Sequence, residues 1–403
     1  MTSPAPPAVP LAASSSGACD VLLVSLASTP GLRHADAELL ASLRRAGATA
    51  ALASALPPSR THPTFALTDL AWALAARRAA QRALAACAPR AILYSTTTAA
   101  LLWPRPGAIR FDALAAANRP GRHGLWQRPL ERRRLRQASL LLPWSERSPG
   151  ESSGLAGGLG DGSLFGGPAR ARTRGGARAR GLPLSFVLPV PVDPSAPPHS
   201  PPAVRDIPAL TYAANPRKKG LDRVLSAWAA VRAPGELLYV AGTTPSELAA
   251  ASIPIPSEAR DGVRLTGILP PKEYRALLRR TRVFVTAPRR EDYGLAQLEA
   301  LADGCLLATT PAPGPYAALP ILRSLDPRLV SEDLSAALRV ALRESAPSAT
   351  GTGPAKGGNA AEGEGGGEGG PTPAIAAAMA RFSRQACDRL VAEQLLPALL
   401  PPD

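Results

Sequence analysis

Short apolar runs, each followed by a longer stretch with helical spacing, recur in both halves of this sequence. This alternation constrains the fold more than any other feature. A strand buried on both faces of a parallel sheet reads as a continuous apolar run, without alternation. Cys19–Ala27 (CDVLLVSLA) is such a run. Thr29–Gly31 reads as a turn, and Asp36–Gly47 as a helix with Leu39, Leu40 and Leu43 on one face. Further strands are expected at Ala48–Ala53, Ala91–Ser95, Ala108–Phe111, Leu140–Pro143 and Leu184–Pro189, with a helix over Leu67–Ala88. The pattern restarts at Ala209–Ala213 and continues through Glu236–Gly242, Val263–Gly267, Arg282–Pro288 and Cys305–Thr310. Helices are predicted over Leu221–Arg232, Lys272–Arg280 and Gly294–Asp303. Strand-helix alternation predicts an α/β fold, with two doubly wound Rossmann-like domains facing a cleft.

Composition sorts the remainder. Residues 1–17 are Pro, Ala and Ser and read as a disordered tail. The first domain then spans 18–192, a linker 193–207, and the second domain 208–346. Ser148–Gly181 (Gly, Ser and Arg) and Pro347–Pro373 (Gly-rich) bury little and read as disordered insertions. Residues 374–403 regain helical character and are expected to cross back to the first domain.

The net charge of +15 favours an anionic partner. Two arginine runs, Arg128–Arg136 and Arg170–Arg180, carry much of the excess. Aromatics are 4% of the chain and do not interleave with these runs, which argues against sequence-specific nucleic-acid binding. Peripheral contact with an anionic membrane stays open, as does a solvated insertion with no role. Cys19, Cys87, Cys305 and Cys387 are scattered, so neither a zinc site nor a disulfide framework is expected. The first basic residue, Arg33, follows the first apolar run, and no run reaches membrane-spanning length. A cytoplasmic location follows as the expectation, with contact at the inner membrane face the peripheral variant.

Chemistry concentrates in Arg282–Thr310 (RVFVTAPRREDYGLAQLEALADGCLLATT). A buried strand runs into a polar loop, then into a helix opening at Gly294. A helix N-terminus offers free amides and a positive dipole end to an anion, and a glycine there lets a phosphate approach the backbone. Glu291 precedes that helix, and Glu299 falls in its second turn. A carboxylate accepts two hydroxyl hydrogen bonds at once, which suits a vicinal diol. The plainer alternative is a solvated, charged helix start with Asp292 as a local cap.

This stretch resembles the E-x7-E signature of the retaining nucleotide-sugar glycosyltransferases with two Rossmann-like domains (the GT-B fold), in the glycosyl transferases group 1 family. The matching residues are Ala287-Pro288, Glu291, Tyr293-Gly294-Leu295, Glu299-Ala300 and Gly304. Tyr212–Asp222 (YAANPRKKGLD) is similar to the family's strand, basic loop and Lys-Gly. The family's usual arginine, five positions before that lysine, is Ala214 here, with Arg217 and Lys218 close by. Leu188–Asp193 resembles the end of the first domain, and Arg381–Ser383 the closing segment.

The resemblance implies transfer of a hexose from a nucleotide-sugar donor to a sugar or lipid-linked acceptor, with anomeric retention. It places Glu299 on the nucleotide ribose, Glu291 on the transferred sugar, and the Gly294 and Leu295 amides with Tyr293 at the diphosphate. Lys219 would also contact the diphosphate, with Arg217 and Lys218 beside it. Gly267 and Ile268 would border the base. Lys219 and Glu291 are the expected catalytic pair. The chain has no Asp-x-Asp, so neither a metal nor another cofactor is expected. In the first half, Gly31, Asp112, Asn118, Arg119 and His123 follow strands and are acceptor-side candidates. His123 reads as a surface histidine, with a catalytic base the sharper alternative, and Asp112 reads equally as a helix cap. Two other functions fit the residues: a non-catalytic nucleotide-sugar-binding relative, and a basic scaffold for anionic membrane or nucleic acid.

Overall fold

The computed structural model describes residues 19–58, 64–119, 121–146, 183–197, 203–346 and 372–401. Residues 1–17, Ser148–Gly181 and 347–371, all read from composition as disordered, lie outside them. The chain forms two compact units. Of the described residues, unit 1 contains 19–142, 183–186 and 388–401, and unit 2 contains 143–146, 187–346 and 372–387.

Unit 1 is built on a six-stranded sheet of β1 (Val21–Ser25), β2 (Ala50–Ser54), β3 (Ala91–Tyr94), β4 (Ala108–Phe111), β5 (Leu140–Pro143) and β6 (Leu184–Ser185), in the order β2-β1-β3-β4-β5-β6. β1 pairs in parallel with β2 and β3, β3 with β4, and β5 with β6. Val21, Leu22, Leu23 and Val24 are fully buried, which is why β1 shows no polar alternation. The helix Phe65–Ala86 buries Ala73, Ala76, Ala80 and Ala83, whose small side chains form its packed face.

The first helix is longer than the pattern predicts. It runs Pro30–Arg45, and the Thr29 hydroxyl accepts from the Leu32 amide as its N-cap. The expected turn at Thr29–Gly31 is therefore this helix's cap and first turn: Pro at N1 fits because its missing N–H needs no partner there. Asp388 anchors the C-terminal segment on the same helix. Its carboxylate takes the Ser42 hydroxyl at 2.5 Å and the Arg45 guanidinium through two bonds of 2.7 and 2.8 Å. Val391 and Leu395 are buried behind it.

Unit 2 holds β7 (Ile207–Tyr212), β8 (Leu238–Ala241), β9 (Val263–Gly267), β10 (Thr281–Thr286) and β11 (Leu306–Thr309), in the order β11-β10-β7-β8-β9 with every pairing parallel. The helix Leu221–Val231 buries Val224 and Trp228, and the Trp228 indole donates to the Gly262 carbonyl at 2.9 Å. Asp333 caps the helix Leu334–Glu344, whose Leu338 and Ala341 complete that core. The last helical stretch begins at Pro373, capped by Thr372, one residue earlier than the sequence suggests.

Candidate active site

In unit 2 the loop after β7 and the loop after β10 are bound to each other. The Arg289 amide donates to the Lys218 carbonyl at 2.9 Å. The Arg289 guanidinium reaches the Arg217 carbonyl at 2.7 Å and grips Asp222 with both arms. Gly220 makes this approach possible: its φ is +66°, and a Cβ there would stand 1.9 Å from the Ala287 carbonyl oxygen. Only a residue without a side chain fits that conformation and that gap.

The clamp delivers Lys219 to Glu291. Their Nζ–Oε2 distance is 2.6 Å, and the Glu291 side chain is 5% exposed. Gln297 also donates to Glu291, at 2.9 Å, and the Glu291 amide is held by the Pro313 carbonyl. Lys218 points elsewhere, to Asp292 at 2.7 Å, which Arg290 also binds at 2.8 Å. Burial works against charge on Asp292, but the two cations outweigh it and hold its pKa below the usual value.

Gly294, with φ +88°, is the N-cap of the helix Leu295–Ala302, and no side chain caps that end. The first-turn amides, including that of Leu295, therefore present the dipole's positive end without a competing carboxylate. Tyr293 turns inward: it is 4% exposed, its hydroxyl exchanges bonds with the Val190 backbone, and its ring meets Trp144 edge-on at 5.3 Å.

Glu299 has different company. Burial pushes its carboxyl up to about 7, with Arg275 opposing and Asp303 reinforcing the shift. Arg275 Nη1 lies 3.9 Å from Glu299 and its Nε 2.6 Å from Asp303. The rings of Tyr212 and Tyr274 stand 5.3 Å apart, and burial, followed by the Glu299 charge, raises both phenols. Arg275 and Gln297 went unremarked in the sequence. Each meets its carboxylate through tertiary packing or a helix turn that carries no motif. At the end of β9, Gly267 has φ +74° with open space where a Cβ would stand, and Ile268 beside it is 68% exposed.

Unit 1 gathers a second polar group at the C-terminal ends of β3 and β4, the edge where open α/β sheets bind ligands. Asn118 and Arg119 line a cleft there with Asp69, Thr97, Gln127 and Glu131. Arg119 binds Asp69 through Nε at 2.6 Å and Nη2 at 3.1 Å. Glu131 accepts the Ala115 amide on both oxygens. Of the other first-half candidates, Gly31 lies in the first turn of the helix Pro30–Arg45. Asp112 accepts from the adjacent Ala113 amide at 2.8 Å. His123 sits in the turn Gly121–Gly124, its side chain outside the described atoms.

Residues 208–342 match the family described as Glycosyl transferases group 1. No curated protein matches the sequence. Among solved structures, the chain is similar to WaaG, a glycosyltransferase involved in lipopolysaccharide biosynthesis: TM-score 0.57, 13% identity, covering 95% of this chain and 100% of that one. It is also similar to HepE of Anabaena in complex with UDP-glucose, at TM-score 0.56 and 12% identity, covering 93% and 99%. A third likeness is to the α,α-trehalose 6-phosphate synthase of Burkholderia multivorans, at TM-score 0.56 and 12% identity, covering 95% and 98%. At these identities the likenesses establish the fold, GT-B.

Proposed function

We propose that this protein is a glycosyltransferase that transfers a hexose from a nucleoside-diphosphate sugar with retention at the anomeric carbon, a reading supported by the match of residues 208–342 to the family described as Glycosyl transferases group 1 and by the GT-B fold. The observation that carries this reading is the 2.6 Å contact of Lys219 with buried Glu291, next in sequence to a helix whose N-terminus is capped by Gly294 alone. A cation and uncapped amides suit a diphosphate, and the carboxylate suits a sugar hydroxyl.

In the proposed reaction the acceptor hydroxyl oxygen bonds to the anomeric carbon on the face that the diphosphate leaves. The anomeric C–O bond to phosphate breaks, its electron pair goes to the diphosphate, and the acceptor proton follows it. Lys219 and the amides of Gly294 and Leu295 stabilise the developing charge, with Arg217 and Lys218 adding to the local field. Glu291 orients the hexose. Glu299 takes the ribose diol, and the open surface at Gly267 and Ile268 accommodates the base. Tyr293 acts by positioning, through its bonds to Val190. Catalysis by positioning and charge stabilisation requires no protein nucleophile.

The acceptor is a sugar or a lipid-linked compound, with Gly31, Asp112, Asn118, Arg119 and His123 on its side. Exposed Arg132, Arg133 and Arg136 on the helix Gln127–Gln137 support peripheral contact with an anionic membrane from the cytoplasmic side. Among the described residues no helix is long and apolar enough to cross a membrane. The test is a thermal-shift screen of nucleotide sugars headed by UDP-glucose, followed by assay of nucleotide release. A stabilising nucleotide sugar whose turnover is lost in Glu291→Gln supports the reading. A panel with neither a shift nor turnover refutes it.

A further inference from the structure

Gln297 stands in the first turn of the helix Leu295–Ala302 and is 1% exposed. Packing alone would be served there by an apolar side chain, since a buried carboxamide is costly unless it is bonded. A glutamine in that turn can reach back to its helix's N-cap. Here no side chain caps Gly294, and the Gln297 carboxamide turns to Glu291 instead, donating from Nε2 to Oε2 at 2.9 Å. Lys219 Nζ donates to the same oxygen at 2.6 Å. Among the described residues nothing donates to Glu291 Oε1. The final torsion of a glutamate side chain is broad, so a single bond to Oε2 leaves the carboxylate plane free to turn. An ammonium is a compact charge with no preferred plane, whereas a carboxamide is planar and its N–H directional. Of the two donors, Gln297 is therefore the one that fixes where Oε1 points.

We propose that Gln297 is a positioning residue that sets which hexose the donor site accepts: with Oε2 held by Gln297 and Lys219, Oε1 is aimed at one hydroxyl of the transferred sugar. An epimer with that hydroxyl reversed leaves the oxygen without its donor, and a site built to hydrogen-bond a hydroxyl rejects the sugar that lacks it there. Without Gln297 the carboxylate turns freely, so the hold on the right sugar falls and its margin over the wrong one narrows. The proposal rests on the donor reading of this site, but selectivity in binding is measurable without turnover.

The experiment is calorimetry on the full chain with UDP- and GDP-linked glucose, mannose, allose and galactose, beside UDP and GDP themselves. Gln297→Met keeps the side-chain length and removes the donor. It weakens the nucleotide sugar that wild type binds best by about tenfold, while the bare nucleotide and at least one epimer stay within about twofold. Gln297→Asn, whose amide ends one methylene short of Glu291, gives the same selective loss and decides the matter should Gln297→Met fail to fold. In the Glu291→Gln background Gln297→Met has no further effect, because it acts through that carboxylate; a merely structural glutamine would not show this dependence. An unaltered preference in either folded variant, an equal loss for every sugar and for the bare nucleotide, or the full loss repeated in the Glu291→Gln background each overturns the proposal. Failure of the donor reading is separately visible, as absence of nucleotide-sugar binding in the wild type, and it removes the proposal with it.

Discussion

Replacing Glu299 by glutamine removes a carboxyl that folding makes less acidic, and the consequence for stability has a definite sign. Burial raises this group from 4.5 to about 7. Below pH 4.5 it is protonated in folded and unfolded chains alike. Between 4.5 and 7 the unfolded chain releases the proton and the folded one keeps it, so the wild type loses stability as the pH rises through that window and levels off above it. A rise of about 2.5 pH units at about 1.4 kcal/mol each sets a ceiling of about 3–4 kcal/mol. The side chain is 19% exposed, so about 2 kcal/mol is the working value. Glutamine keeps the shape and has no proton to lose. Glu299→Gln should therefore gain about 2 kcal/mol on the wild type between pH 5 and pH 8, roughly 4–8 °C in Tm for a unit of this size. Thermal unfolding of both proteins across that range, without nucleotide, measures it. Parallel curves for wild type and variant would refute the argument, because Glu299 would then titrate alike in both states.

Three further outcomes are expected. Lys219→Ala should lower turnover about a hundredfold or more while weakening nucleotide affinity less than about tenfold, since its charge acts mainly on the leaving diphosphate; steady-state rates and calorimetry separate the two. Gly220→Ala should cost at least about 2 kcal/mol, because the added Cβ meets the Ala287 carbonyl in a left-handed backbone; a melting curve within 1 °C or so of wild type would contradict it. Asp388→Ala should leave the Ser42 and Arg45 groups without their shared acceptor, costing about 1–2 kcal/mol, with faster amide exchange over 391–399 as the readout.

Legibility followed the kind of burial. Apolar runs such as Val21–Val24 and Val283–Val285 are plain in the sequence because both sheet faces are covered. The helix Gln127–Gln137 was hidden in an arginine run because two of its buried positions, Gln127 and Glu131, are polar and face the cleft. Apolar periodicity fails where a helix buries hydrogen-bonding groups. Asp333 followed by Leu334, Ala337, Leu338 and Ala341 is a capped helix with regular spacing that can be read unaided. The Lys219–Glu291 contact spans 72 residues and was approachable only through the motif. The Arg275–Glu299 contact has no local signature, because the two residues lie on different helices. The unit 1 cleft likewise joins Asp69 to Gln127 across 58 residues.

The anchoring of Asp388 on the helix Pro30–Arg45 also bears on the order of synthesis. The chain crosses from unit 1 to unit 2 and back, so residues 388–401 reach the ribosome exit after all of unit 2. Unit 2 can close while unit 1 still lacks its last segment, leaving the nascent first unit with the Ser42 and Arg45 groups open to water until translation has passed Asp388. A cut at the unit boundary near Val187 would not yield two self-sufficient halves: the first fragment would lack residues 388–401, and the second would carry them with no helix to receive them.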